Sequence, residues 1–187
     1  ILGRAHGVVT PSAYTKELAE SLGAAPEHTF VVHPVPERAK AVAAEAIAAF
    51  KVKYGIQGKR VLLTVGNLVE RKGHDMVIKS LARVRAEVSN VQYLVVGSGK
   101  EEDRLVAWAE RYGVRDAVIF AGQLGDDELP LAYRAADLFI MPSRILRDQA
   151  GRPLDVEGFG VVFLEASQYG LPVVAGNSGG VPDAVAD

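Results

Sequence analysis

Five short apolar runs constrain this chain more than any other feature. They are RVLLTVG (60–66), VQYLVVG (91–97), AVIFAG (117–122), DLFIMP (137–142) and PVVAG (172–176), each closed by glycine or proline. Continuous hydrophobicity, in place of alternation, requires strands covered on both faces, which is the condition of a parallel sheet. Helical spacing fills the gaps between them: Val77, Ile78, Leu81, Val84 and Val88 in one, and Leu105, Trp108, Ala109 and Tyr112 in the next, with Gly113 as C-terminal cap. Asp126 or Asp127 can cap a helix carrying Leu129 and Tyr133, and Pro182 suits a first helical turn. The series predicts an α/β fold, a doubly wound parallel sheet in three α/β/α layers. Ligands of such sheets sit beyond the strands' carboxyl ends, so the loops after Val65, Val96, Ala121, Met141 and Ala175 are the places to search.

The first stretch has a different rhythm. HGVVTPS (6–12) and TFVVHP (29–34) predict two strands around a helix at roughly 13–22, and ERAKAVAAEAIAAFKVKYG (37–55) predicts one alanine-rich helix. A boundary falls near Pro36. Residues 1–36 are expected to be the tail of a preceding domain, and 37–187 a ligand-binding domain cut before its C-terminus, since Ile1 is not methionine and Asp187 stands inside an apparent helix.

A length of 187 residues suits one large domain, or one domain and a fragment. With 21 Lys plus Arg against 23 Asp plus Glu, no broad basic footprint points to nucleic acid or an anionic membrane, so any bound anion needs a local site. Cysteine is absent, which excludes disulfides, thiolate zinc sites and cysteine nucleophiles. His6, His28, His33 and His74 lack metal-ligand spacing. No run is long enough for a membrane span, and a soluble protein is expected.

EGFGVVFLE (157–165) places Glu157 and Glu165 at the ends of a glycine and aliphatic stretch. Its helix is expected to start near Phe159 and end at Gly170, leaving the amides of Phe159 to Val161 as an anion site, with glycine allowing close approach. The helical rise separates the two acids by roughly 12 Å along the axis. Paired glycosidase carboxylates stand roughly 5 to 9.5 Å apart. The spacing instead suits a long ligand whose hydroxyl-rich ends straddle a diphosphate, as in a sugar nucleotide. The plainer reading makes Glu157 a helix-terminal acid and Glu165 a solvated face residue.

Lys72, with Arg71 beside it, follows the first strand and can reach phosphates across the crevice; it can equally be a surface lysine. VVGSGK (95–100) is not a Walker A loop, because Leu94 stands five before Gly99 and Glu101 follows Lys100. Glu102 occupies the third glycine position of the dinucleotide fingerprint, so Gly97 and Gly99 mark a tight turn with backbone contact to a ligand as a second role. GNSGG (176–180) imitates a nucleophile elbow around Ser178, but no histidine follows His74, and its amides could instead hold an anion or sugar hydroxyls. Asp155 and Glu157 imitate a metal-binding pair without completing an oxygen cage.

Taken together, VVTPSAYTKELAESLG, VGNLVERKGHDMVIKSL, YLVVGSGKEEDRL, VIFAGQL, AADLFIMPS and EGFGVVFLEASQYGLPVVAGNSGGVPDAV resemble the C-terminal half of a retaining glycosyltransferase of family 4, with the GT-B fold. The resemblance implies transfer of a sugar from a nucleotide-diphosphate donor to an acceptor hydroxyl, with retention and without cofactor or metal. It gives Glu157 to the donor sugar and Lys72 to the diphosphate as the catalytic pair. Glu165 goes to the ribose, Phe159 and Gly160 with Gly158 to the phosphates, and Gln123 and Leu124 to the base. Gly66, Asn67, Arg71 and Gly97 complete the donor-binding set. In detail the pattern is similar to mannosyltransferases acting on phosphatidylinositol-type acceptors, which implies GDP-mannose, a lipid-linked polyol or sugar as acceptor, and a cytoplasmic location at the inner face of a membrane met through the absent lobe.

Asn67 is a departure, because the family has an arginine there to pair with the lysine; Arg71 is the substitute at hand. With one lobe only, nucleotide binding with little or no transfer is expected. Three other functions stay open from the residues: a nucleotide-sugar epimerase of the same fold, a noncatalytic nucleotide- or protein-binding module, and a serine hydrolase through Ser178.

Overall fold

The computed structural model describes residues 2–185. In chain order the first elements are β1 (Val8–Thr10), α1 (Ala13–Ser21), β2 (Thr29–Val31), α2 (Ala44–Lys53), β3 (Arg60–Val65), α3 (His74–Glu87), β4 (Val91–Val96) and α4 (Glu102–Arg111). There follow β5 (Val118–Gly122), α5 (Leu129–Ala135), β6 (Leu138–Met141), β7 (Leu146–Arg147), β8 (Pro153–Asp155), α6 (Val161–Gln168), β9 (Val173–Ala175) and α7 (Val181–Ala184). The five predicted runs form one sheet, ordered β5-β4-β3-β6-β9, with every pairing parallel.

Side-chain alternation divides β3, β4, β5 and β6 between two cores. Val61, Leu63 and Val65 of β3 join Phe139, Met141, Tyr133 and Phe163 on the face covered by α2, α5 and α6. Tyr93 and Val95 of β4 join Val77, Ile78, Leu81 and Leu105 on the face covered by α3 and α4. Both faces of these four strands are therefore covered, as the uninterrupted apolar runs require, while Val174 on the edge strand β9 is exposed. Chain order reverses between β3 and β6, which makes their carboxyl ends the topological switch point.

Two expectations about these elements need correction. Residues 37–43 are not helical; α2 begins only at Ala44. The Ala39 amide donates to Gln168 Oε1 at 2.6 Å and the Lys40 amide to the Tyr169 hydroxyl at 3.0 Å, so these tertiary bonds displace the first turns that helix propensity favours. Neither Asp126 nor Asp127 caps α5, whose N-cap is Glu128 without a side-chain bond. A hairpin, β7 paired with β8, also stands between β6 and α6, a stretch for which no element is predicted. Gly113 does cap α4 in the left-handed conformation at φ 65°, and Pro182 does stand in the first turn of α7. Asp187, read as lying in a helix, is outside the described residues.

β1 and β2 form a separate two-stranded parallel sheet. They reach the larger sheet through the His33 ring, which stacks on Phe159 at 5.4 Å, and through the Ala13 amide, which donates to Asp183 Oδ2 at 2.8 Å. Val9 and Phe30 on this small sheet are exposed.

Candidate functional site

The loop leaving β3 turns at Gly66, passes the exposed Asn67 and makes a 3₁₀ turn at Glu70–Lys72. Gly66 is next to the Lys72 stem: a Cβ there would stand 3.4 Å from Lys72 Cε. Gly73 ends the turn at φ 75° against the Pro142 carbonyl, at a spacing that leaves no room for a side chain. The two cations of this turn cross the switch point together. Lys72 Nζ lies 2.7 Å and Arg71 Nη1 2.6 Å from the same oxygen, Glu157 Oε2. Arg71 Nε also bonds Asp155 Oδ1 at 2.9 Å, from the end of β8.

The side chains of Glu157, Lys72 and Arg71 are 10%, 11% and 16% exposed. At such burial each charge needs its partner, because an isolated one would carry a large desolvation penalty. Two cations and two carboxylates leave the cluster neutral. Arg71 thus stands beside Lys72 on one carboxylate oxygen, whereas Asn67 is exposed. Asp155 and Glu157 are engaged by these cations, and no group of three metal-ligating side chains occurs among the described residues.

Helix α6 starts at Val161, two residues later than the sequence suggests. Gly160 takes a left-handed conformation at φ 90°, and Phe159 is buried beneath His33, so neither continues the helix. The amides of Phe159, Gly160, Val161 and Val162 still find no acceptor among the described residues. Phe159 and Gly160 are buried, so Val161 and Val162 are the partly exposed residues of this unpaired helix terminus. The loop is backed by the glycine-rich stretch that resembled a nucleophile elbow: the Gly180 amide donates to the Glu157 carbonyl at 2.8 Å, and Gly179 and Gly180 press on the backbone of Glu157 and Gly158. Ser178 Oγ donates to the Ser143 carbonyl at 2.8 Å, and no histidine is among its partners.

Glu165 has different surroundings. It accepts a 2.7 Å hydrogen bond from the Tyr133 hydroxyl, and Tyr133 stacks on Tyr169 at 5.1 Å. Burial, and then the Glu165 carboxylate, push the Tyr133 phenol far above its usual range, so it stays a donor. The acid borders a hollow between α5, α6 and the extended segment at Lys40, lined also by Asp126 and Leu129. None of the residues around Glu157 lines that hollow, so the expected single groove with an acid at each end is instead two adjoining environments. Glu165 stands on the second turn of α6 with its carboxylate on Tyr133 of α5, while Glu157 lies before the helix and pairs with the cations of the β3 loop. Gln123 is exposed and bonded to Ser98 Oγ at 3.0 Å, and Leu124 packs on the core.

Gly97 does not offer its amide to a ligand. That N–H donates to the Gly122 carbonyl at 2.8 Å, and the missing side chain makes room for the Gly66 carbonyl. Two polar groups at the switch point escaped sequence reasoning. His74 is buried, with Nδ1 3.1 Å from the Tyr93 hydroxyl and Nε2 3.4 Å from the Asn67 carbonyl. Burial lowers its pKa to about 4, against the Asn67 carbonyl, which raises it. Ser143 Oγ is buried without a partner among the described residues.

Residues 46–187 match the family described as glycosyl transferases group 1. The chain belongs to that family. It is 41% identical over 143 residues to the GDP-mannose-dependent alpha-(1-6)-phosphatidylinositol monomannoside mannosyltransferase of Mycolicibacterium smegmatis, covering 76% of this chain and 36% of that protein. It is 37% identical over 145 residues to the D-inositol 3-phosphate glycosyltransferase of Segniliparus rotundus, covering 75% of this chain and 30% of the other. The crystal structure of Anabaena Alr3699/HepE in complex with UDP and glucose superposes with a TM-score of 0.83 at 25% identity, over 98% of this chain and 47% of that one. The chain thus spans about a third of the length of these curated relatives and about half of the solved structure. No described helix of this group 1 chain is long and apolar enough to cross a membrane.

Proposed function

We propose that this chain is the donor-binding lobe of a retaining glycosyltransferase that uses GDP-mannose and a polyol or lipid-linked sugar acceptor, with residues 1–36 belonging to the acceptor lobe. The observation that carries the reading is the convergence of Lys72 and Arg71 on Glu157, in the loop that leads into the unpaired amides at the start of α6. A diphosphate placed at that terminus meets the amides with one phosphate and the two cations with the other. As the sugar C1–O bond breaks, charge grows on the departing diphosphate, where fixed dipoles and cations oppose it most effectively. The acceptor oxygen bonds to C1 on the same face, and its proton passes to the departing phosphate oxygen.

The resting ion pairs give Glu157 a second task in this scheme. It holds the cations in place until phosphate takes them, and its freed oxygens then accept hydroxyls of the donor sugar. Glu165, already oriented by Tyr133, accepts from the ribose. The chemistry needs only what these residues supply, and no cofactor or metal is part of the proposal. The mannosyl and inositide assignments rest on likeness to the Mycolicibacterium protein.

Calorimetry of this chain with GDP, UDP and ADP, with the corresponding monophosphates and with GDP-mannose, tests the proposal. Diphosphates should bind more tightly than monophosphates, GDP most tightly among them, and GDP-mannose more tightly than GDP. Equal affinity for mono- and diphosphates would remove the cation pair from the site. An equal response to GDP and GDP-mannose would favour a module that reads the nucleotide alone.

A further inference from the structure

We infer that Arg144 is a positioning residue for diphosphate recognition: it fastens the 3₁₀ turn carrying Arg71 and Lys72 to the end of β6. The inference rests on the donor-site reading above. Arg144 follows Ser143 directly, and its contacts go to the turn and the start of α3. Its amide donates to the Arg71 carbonyl at 2.9 Å. Its Nη1 bonds both carboxylate oxygens of Asp75 at 3.0 Å, and Nη2 stands 3.5 Å from Glu70 Oε1. The turn is thereby held in its middle and on either side, while Gly73 rests on Pro142 beneath it.

None of these bonds touches Glu157 or Asp155, so Arg144 acts through the turn and not on the ligand. Its stabilising effect on the fold is small, because the pair with Asp75 is open to water at the Arg144 end and exposed pairs contribute little. What the clasp does control is where the Lys72 ammonium and the Arg71 guanidinium point, and a displacement near one ångström suffices to lose a phosphate contact. Arginine suits the task because one planar fork can serve two carboxylates from a fixed backbone position; a lysine offers a single charge without that geometry.

The test measures GDP and GMP, and UDP and UMP, on this chain, on Arg144→Ala, on Arg144→Lys and on Asp75→Asn, with melting temperature recorded for each. In Arg144→Ala the affinity for the diphosphate should fall about tenfold, the loss of one good contact. The monophosphate affinity and the melting temperature should stay near wild type, and Arg144→Lys should recover only part of the loss. Asp75→Asn opens the same clasp from the other side and decides the matter if Arg144→Ala does not fold. A wild-type preference for diphosphate that survives in both variants overturns the role of Arg144 alone. A uniform loss across mono- and diphosphates makes Arg144 a fold-stabilising residue and overturns it too. Absence of any diphosphate preference in the wild-type chain overturns the site reading, and the inference with it.

Discussion

Glu157 meets an ammonium and a guanidinium, whereas Glu165 meets a phenol. Eight positions separate these two identical residues, one in the loop before α6 and one on its second turn. The β3 side of the crevice is therefore electrostatic, with charges that cancel at rest and, on the proposed reading, are reassigned when an anion arrives. The α5 side is a hydrogen-bonding device in which a neutral donor fixes a carboxylate. The first should respond to anions and the second to hydroxyls.

The largest contrast should come from removing each acid. Glu157→Ala leaves Lys72 and Arg71 poorly paired at low exposure, a loss of about 3 kcal/mol in folding free energy, at the lower end for broken buried pairs because Asp155 still holds Arg71. Pyrophosphate or GDP should then raise the melting temperature of the variant by more than it raises that of the wild type, since the anion replaces the missing carboxylate. Glu165→Ala should show no such rescue and should instead weaken nucleotide binding by about 2 kcal/mol, the size of a hydrogen bond to a charged group. Calorimetry and thermal melts in pyrophosphate separate the two. An equal anion response in both variants would break the contrast.

Acidification should strain the β3 side selectively. His74 braces the Asn67 carbonyl while neutral, and its folded pKa of about 4 lies below the ordinary value of 6.5. A depressed folded value means that the unfolded chain takes the proton first. Stability is thus complete above pH 6.5, declines as pH falls from 6.5 towards 4, and is lower by about 2 kcal/mol at pH 5. Urea titrations at pH 7 and pH 5 measure the difference, and His74→Gln should flatten it. A wild-type slope that persists in the variant would assign the effect to other groups.

The legibility of the two sides differed for a physical reason. Strands buried on both faces leave an unbroken apolar record, so the parallel sheet and the loops after β3 and β6 are readable, and with them the positions of Lys72, Arg71 and Glu157 beside those loops. Contacts between elements leave no such record. Tyr133 read only as one apolar position of a helix, and nothing in its spacing announced a hydroxyl aimed at Glu165. Residues 37–43 carry good helix formers, yet their amides serve Gln168 and Tyr169 from 129 positions away. The β7–β8 hairpin arises from RILRDQAGRPLD, whose polar residues have no period, although it delivers Asp155 to Arg71.

Tyr133→Phe gives the smallest and most discriminating effect. The phenylalanine keeps the ring, its stacking on Tyr169 and its packing in the core, and removes only the bond to Glu165. A neutral donor to a half-buried carboxylate contributes about 1 kcal/mol net, because water can reach Glu165 and replace part of it. Nucleotide affinity should fall by that amount or less, equally for mono- and diphosphates, since the ribose is common to both. The Glu157 variants should change the diphosphate alone. If Tyr133→Phe shifted the ratio of GDP to GMP affinity, the two environments would be coupled through α6 and could not be treated as separate devices. If it left every affinity unchanged while Glu165→Ala lowered them, Glu165 would need no orienting donor, and the phenol would serve packing alone.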